Sequence, residues 1–376
     1  LARLTSLSVL LEDGGQAFLR ELYGKVIQNV EKSTLSSLFK NRDLSGDPES
    51  GSVEVNRYQN AKSKTYGTAR YLGKGDGVTR KPITVTIDVD REIVEEIENK
   101  DIKLDGLDGL LNRRSLNHIR SMVRELEKAF WFKTAVEAEV EFQPSASGLT
   151  IAQEIEEQIV ALEKTQNDYV DGVDRNIMAL VLDTDTYSSL RNYLDTTVNN
   201  ANISTANETF GIFHGVRTYS SVYLPKGVKG LLFVEGMTAQ PVIANPYVGE
   251  RIGLSEAYAV SLFYHYGTGV VTPDLISAYK RQLAKPVIAL SSSTLTVTAV
   301  TDATEYDVYA GLAKIATIKP VAGVITADLT DYIDEPGEYA ITVVAKNPQE
   351  AYQASAKSDA KTYTVSAGTG SSGTGS

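Results

Sequence analysis

Lys81-Pro-Ile-Thr-Val-Thr-Ile-Asp-Val-Asp90 is the stretch on which the fold turns. Ile83, Val85, Ile87 and Val89 alternate with Thr84, Thr86, Asp88 and Asp90. That two-residue period belongs to a strand with one dry face and one wet face. Upstream, Val53-Glu-Val55 starts a possible partner strand, and Gly73-Lys-Gly-Asp-Gly77 lies between the two. Glycine takes a left-handed backbone at little cost, so this run suits a hairpin turn. The reading is a long two-stranded arm over 53–90. Large aliphatic residues are few between Val55 and Val78. Such an arm has little core of its own and needs another surface to lie on.

Charge sharpens that expectation. From Arg57 to Lys81 there are seven basic residues and one acid, a net of +6, and Tyr58, Tyr66 and Tyr71 are interleaved with the cations. From Pro82 to Leu110 there are nine acids and three bases, a net of −6. Cations interleaved with aromatics are one way to hold single-stranded nucleic acid. The adjoining acidic block and the overall charge of −11 favour a different partner, the acidic surface of another copy of the same chain. The candidate interface residues are Arg57, Tyr58, Lys62, Lys64, Tyr66, Arg70, Lys74 and Arg80.

On either side of the arm the pattern turns helical. Phe18, Leu22, Val26 and Ile27 recur at helical spacing within 16–39. A long helix is expected over Leu111 to Glu139, with Leu116, Ile119, Val123, Leu126 and Phe130 on its apolar face, widened by Met122, Ala129 and Val136. Thr150 is placed to cap a helix carrying Ile151, Ile155, Ile159 and Leu162. Short strands and one helix after Asp183 follow to about Tyr279. Beyond Lys285-Pro286 helical periodicity ends, and about seven short alternating strands read as a β-sandwich of immunoglobulin or fibronectin type. The last ten residues, from Ala367, are all small and read as a flexible tail. The domains are therefore 1–284, 285–366 and the tail 367–376.

The equipment for catalysis is poor. The 376 residues include no cysteine and three histidines, His118, His214 and His265, none in a metal motif. His118 is expected on a solvated or interface face, His214 at a turn and His265 packed in a strand. No phosphate-loop or nucleophile-elbow pattern occurs, and no apolar run reaches the ~20 residues needed to span a bilayer. No catalytic, cofactor-binding or metal-binding residue is therefore assigned, and no membrane partner is expected. The sequons at Asn202 and Asn207 read as chance matches.

The order of these parts over about 16–284 resembles the major capsid proteins of tailed bacteriophages, with the Hong Kong 97-type α+β fold. The matching pieces are the N-terminal helical arm, an extended loop (the family's E-loop) at 53–81, and the run from Lys81 into acidic residues 92–101. They continue with a spine helix at 111–139 and with Gly211-Ile-Phe-His-Gly-Val-Arg-Thr-Tyr219, Leu224-Pro-Lys-Gly227 and Gly236-Met-Thr-Ala239. The resemblance implies peripheral and axial domains and no enzymatic activity. It implies assembly in the host cytoplasm into hexamers and pentamers of an icosahedral head, with non-specific contact to packaged double-stranded DNA. Portal, scaffold and maturation protease would be its partners, and the virion its location. A start at Leu1-Ala2-Arg3 would fit proteolytic maturation. The C-terminal strands resemble immunoglobulin-like modules appended to phage structural proteins, which would project outward and bind surface glycans weakly. Two alternatives are an encapsulin-like compartment without DNA and a carbohydrate-binding surface adhesin.

Overall fold

The computed structural model describes residues 7–61, 63–67, 77–98, 100–196, 211–253 and 257–366. They divide into two units. The first holds the residues up to Leu224 together with Gly230–Ala278, and the second holds Pro225–Lys229 with the residues from Tyr279 on.

The first unit opens with helix α1 (Asp13–Ser33), which buries Leu19, Leu22, Val26 and Val30. A short 3-10 turn at Ser36–Leu38 follows. The arm base consists of β1 (Ser52–Tyr58) and β2 (Arg80–Thr86), antiparallel, with Val55 opposite Ile83 and Tyr58 opposite Arg80. The expected continuous strand from Lys81 to Asp90 is broken. β2 ends at Thr86, and β3 (Val89–Ile97) begins a different sheet. Gly267 accounts for the break: a Cβ there would overlap the Thr86 carbonyl, so two backbones cross at this point with no room for a side chain. The Gly73–Gly77 turn lies outside the described residues except for Gly77.

Helix α2 (Ile102–Val136) starts nine residues before the expected position and ends three before it, with a non-helical Gly106 (φ 72°) near its start. The 107–136 portion runs for about 45 Å. Its buried stripe carries Leu111, Ile119, Met122, Val123, Leu126, Phe130 and Trp131. Leu116 and Val136, expected on that stripe, are exposed at its edge. His118, expected on a solvated or interface face, is buried within the chain's own core. Glu127, also buried, accepts from the Ser36 N–H (2.7 Å) and from Trp131 Nε1 (2.5 Å), so it ties the turn after α1 to the helix.

Next come β4 (Val140–Phe142), α3 (Ile151–Glu163), β5 (Met178–Leu182) and α4 (Thr184–Thr196). Thr150 and Gln153 form a reciprocal capping box at the start of α3. Asp183 Oδ1 accepts from the Thr186 N–H at the start of α4. The sequons at Asn202 and Asn207 fall outside the described residues. β6 (Ile212–Phe213), β7 (Val216–Ser220), β8 (Val228–Val234), β9 (Thr238–Ala239), β10 (Val242–Ala244), β11 (Val248–Arg251), β12 (Tyr258–Tyr266), β13 (Gly269–Val270) and β14 (Ile276–Lys280) follow.

Two larger sheets result. One has the order β4-β14-β8-β5-β7-β6, with β5 and β7 parallel, and packs against α3 and α4 through Ile155, Ile159, Leu180, Leu190 and Leu232. The other is centred on β12, which pairs with β10, β11 and β3 and faces α1 and α2 through Val260, Leu262, Tyr264 and Tyr266. A smaller cluster of Val53, Val55, Val85, Ala239 and Val271 seats the arm base beside the β13-β9 pair.

Among its described residues the second unit carries seven complete strands. β15 (Ile288–Ser291), β16 (Thr294–Val297) and β19 (Thr326–Asp328) form one sheet. β17 (Glu305–Ala310), β18 (Ala313–Ile318), β20 (Gly337–Lys346) and β21 (Lys361–Val365) form the other. Both sheets feed one core that includes Leu295, Val297, Tyr306, Val308, Ile341, Val343 and Tyr363.

Candidate subunit-interface surfaces

The arm separates into a clamped base and an open portion. At the base, the Arg57 guanidinium makes two parallel bonds to Asp274, Nη1 to Oδ1 at 2.6 Å and Nη2 to Oδ2 at 2.7 Å. It also stands 4.2 Å above the Tyr169 ring. Asn167 Nδ2 donates to the same carboxylate at 2.6 Å, and the Asn60 N–H donates to the Asp168 carbonyl at 3.0 Å. The Arg57 and Asp274 side chains are 13% and 12% exposed. Burial alone would raise the Asp274 pKa, but the hydrogen bonds from Arg57 and Asn167 outweigh it and hold the carboxyl below the ordinary aspartate range. Arg57 therefore acts within its own chain, as the rivet of the arm.

The remaining candidates divide differently. Tyr58 is exposed, Tyr66 is 87% exposed, Val78 is 85% exposed, and Lys64, Arg80 and Lys81 are exposed. Lys62, Arg70 and Lys74 lie outside the described residues. The open portion thus sets cations beside large side chains that are exposed to solvent.

A complementary surface lies on the outer face of the sheet centred on β12. On β3, Val89, Ile93 and Ile97 join the core, and the salt bridges of Arg91 with Glu125 and of Glu95 with Arg114 run to α2. Alternation then places Asp90, Glu92, Val94 and Glu96 on the opposite face. In register beside them on β12 are His265, Phe263, Ser261 and Ala259. Gly249 packs against Leu10 and Leu19, so Val248 and Glu250 of β11 also lie on the outer face. The result is four exposed acids, Asp90, Glu92, Glu96 and Glu250, around exposed Val94, Val248 and Phe263. Asp90 pairs with His265 at 2.7 Å. Sequence reasoning took the acidic block as one unit. The strand period splits it, sending Glu95 inward to Arg114 and its neighbours outward.

The three histidines have structural partners. His118 Nδ1 lies 2.6 Å from the Tyr247 hydroxyl, and its Nε2 lies 3.3 Å from Glu95. His214 sits at a turn with φ 46° and pairs with Glu156 at 2.6 Å. His265 is half-exposed on its strand. Among the described residues there is no cluster of histidine and carboxylates able to hold a metal ion, and no helix long and apolar enough to cross a membrane.

No protein-family model matches the chain, and no curated protein does. Solved structures do. The capsid of cyanophage P-SCSP1u superposes with a TM-score of 0.49 at 13% identity, covering 65% of this chain and 86% of that one. The capsid of a native GTA particle gives 0.48 at 9% identity, covering 67% and 90%. A virus-like particle from Pyrococcus furiosus gives 0.44 at 12% identity, covering 70% and 99%. In this chain a leading helix, a two-stranded arm base and a long helix come in that order, and two sheets, one packed on the long helix and one flanked by two helices, draw on strands interleaved along the first unit. The arrangement is of the α+β class.

Proposed function

We propose that this chain is the major shell protein of a tailed bacteriophage head, structural rather than catalytic, and that it closes into hexamers and pentamers around double-stranded DNA. The observation that carries the reading is the pair of solvent-exposed surfaces of opposite charge on one chain. One is the basic, aromatic arm bearing Tyr58, Lys64, Tyr66, Arg80 and Lys81. The other is the acidic, apolar sheet face bearing Asp90, Glu92, Val94, Glu96, Glu250 and Phe263. Apolar side chains this exposed mark contact surfaces, and opposite charge selects the partner and its register. The arm of one copy lies on the sheet face of the next, and many modest contacts close the shell together. The second unit is an immunoglobulin-like appendage that contacts surface glycans weakly. Assembly takes place in the host cytoplasm with portal, scaffold and maturation protease, and the mature location is the virion.

Negative-stain microscopy of the purified protein tests the proposal. Uniform polyhedral particles are expected, and small discrete oligomers would sink it. Charge reversal at Lys62, Lys64, Arg70 and Arg80 should abolish particles while leaving the monomer folded. Particles that carry no nucleic acid would instead indicate a protein compartment. Arg57 is kept intact in this test, because its loss would unseat the arm from Asp274.

A further inference from the structure

A cleft on the first unit has no part in the arm or the sheet face. Glu31 and Lys32 at the end of α1, Ser37, Lys40, Asn41 and Arg42 after it, and Gln240 to Val242 enclose about 540 Å³. A smaller apolar recess of about 110 Å³, lined by Ile27, Met122, Leu126 and Val242, shares Lys40 and Glu31 with it. Lys32, in the last turn of α1, complements the negative end of the helix dipole and would be there without any ligand. Lys40 is different. Its side chain is largely shielded from solvent, and among the described residues no hydrogen bond or ion pair reaches its ammonium. Desolvation pulls its pKa below the ordinary lysine value, Glu31 and Glu127 oppose that from a distance, and Arg42 adds to it. A shielded cation that no acid contacts directly is costly, and a cavity beside it is where an anion would restore the balance. Arg42 faces the same cleft with one guanidinium nitrogen on the Ser37 carbonyl at 3.0 Å, which leaves its other donors available.

We propose that this cleft holds a phosphate group of nucleic-acid backbone, with Lys40 as the anchor and Arg42 and Lys32 at the mouth. The inference deepens the shell reading by naming a contact with the enclosed nucleic acid, and it rests on that reading. The lining favours phosphate over a protein partner. Seven of its lining residues are charged or polar, three of them cations, and the apolar remainder, Leu44, Pro48, Pro241 and Val242, includes no aromatic anchor of the kind protein partners use, so backbone phosphate, which needs charge, fits it better.

The test uses the full-length protein. Trace acetylation of lysines, read by mass spectrometry, is run in buffer, with inorganic phosphate and with a random-sequence DNA duplex. Lys25, paired with Glu21, is the internal control. Phosphate and duplex should each protect Lys40 several-fold and leave Lys25 unchanged. Duplex binding measured against salt should lose about one from its log–log slope in Lys40→Met, since each neutralised phosphate contributes ~0.9. Lys40→Arg should keep the slope, which separates lost charge from lost folding. Protection by neither probe overturns the site. Protection by phosphate but not duplex overturns the nucleic-acid occupant. Protection on assembly with neither probe present assigns the cleft to an acidic segment of a neighbouring copy and overturns the proposal. Failure of the shell reading would appear separately, as absence of particles, and the labelling would still report on the cleft.

Discussion

Arg57 and Asp274, 217 positions apart in the chain, meet in a two-pronged ion pair that fixes the base of the arm. Each side chain is almost nine-tenths buried, so removing one partner strands the other in a poorly solvated place. Complete burial would make that loss worth about 3–5 kcal/mol. Residual solvent and the Asn167 bond reduce it, and Arg57→Met should cost about 2 kcal/mol in urea unfolding. The sign of the pH effect follows from the depressed Asp274 pKa. The stabilisation is present above the unfolded aspartate value near ~3.9 and is lost as pH falls through the lower folded value. Stability of the wild type should therefore decline below about pH 4, and the decline should be shallower in Arg57→Met. Equal slopes in the two proteins would show that the pair carries no linked charge.

If the arm of one copy lies on the sheet face of the next, charges can be exchanged between the two surfaces. Glu92, Glu96 and Glu250 changed together to lysine should prevent assembly, because like charges brought face to face cost several kcal/mol. Lys64, Arg80 and Lys81 changed to glutamate should do the same. Combining both sets in one chain should restore particles to a sizeable fraction of the wild-type yield, counted by negative-stain microscopy. Two losses that merely add would mean that the surfaces do not meet.

Much of this architecture is legible in local pattern, because local pattern reports periodicity. The alternation from Lys81 to Thr86, the stripe from Ile119 to Phe130, the cap at Thr150 and the helix after Asp183 all reappear in the structure. What fails is information held elsewhere in the chain. Alternation runs on through Ile87 and Asp88, so nothing local marks the strand break imposed by Gly267. Arg57 looks like one more arm cation until Asp274 is placed beside it. His118 sits near Arg114 and Arg120 in sequence and reads as lying on a solvated or interface face, yet Tyr247 covers it from 129 positions away. The outer acidic face was within reach, since applying the two-residue period to 90–96 alone separates Glu95 from Asp90, Glu92 and Glu96.

His118 gives the second pH dependence. Burial lowers its pKa against the opposing pull of Glu95, while Arg114 adds a smaller lowering. Glu95 is itself held below the ordinary glutamate range, chiefly by its Arg114 hydrogen bond, and the Tyr247 pKa is raised by burial, so neither titrates near neutrality. A histidine that binds its proton less readily when folded opposes folding as it titrates. Stability is full above the unfolded value near ~6.5 and falls as pH drops below it. His118→Gln keeps a polar partner for Tyr247 without the titration. Its stability should vary less than that of the wild type between about pH 7 and pH 5, in paired denaturation curves. A variant with the wild-type slope would place the titration elsewhere.

Asp307 tests the second unit on its own. The carboxylate is 1% exposed on β17, between Lys314 Nζ at 2.8 Å and Lys346 Nζ at 2.5 Å, and Thr317 Oγ1 donates to it at 2.8 Å. Burial pushes its pKa up, but those three donors outweigh burial and keep it below the ordinary aspartate range. Asp307→Ala leaves the two ammonium groups, on the strands that flank β17, without the carboxylate between them. Both lysines are more than one-third exposed and can turn to water, so the full cost of a buried pair does not apply, and about 1–2 kcal/mol is expected. The contribution is present above about pH 4 and is lost as the carboxylate protonates at lower pH. Hydrogen exchange in the full-length protein provides the readout. Amides of Tyr306 to Ala310 should exchange roughly tenfold faster in Asp307→Ala, in line with a loss of about 1.4 kcal/mol, while those of α2 remain unchanged. Faster exchange in α2 as well would mean that the two units unfold as one, and unchanged exchange in both would mean that the lysines hold the sheet without the carboxylate.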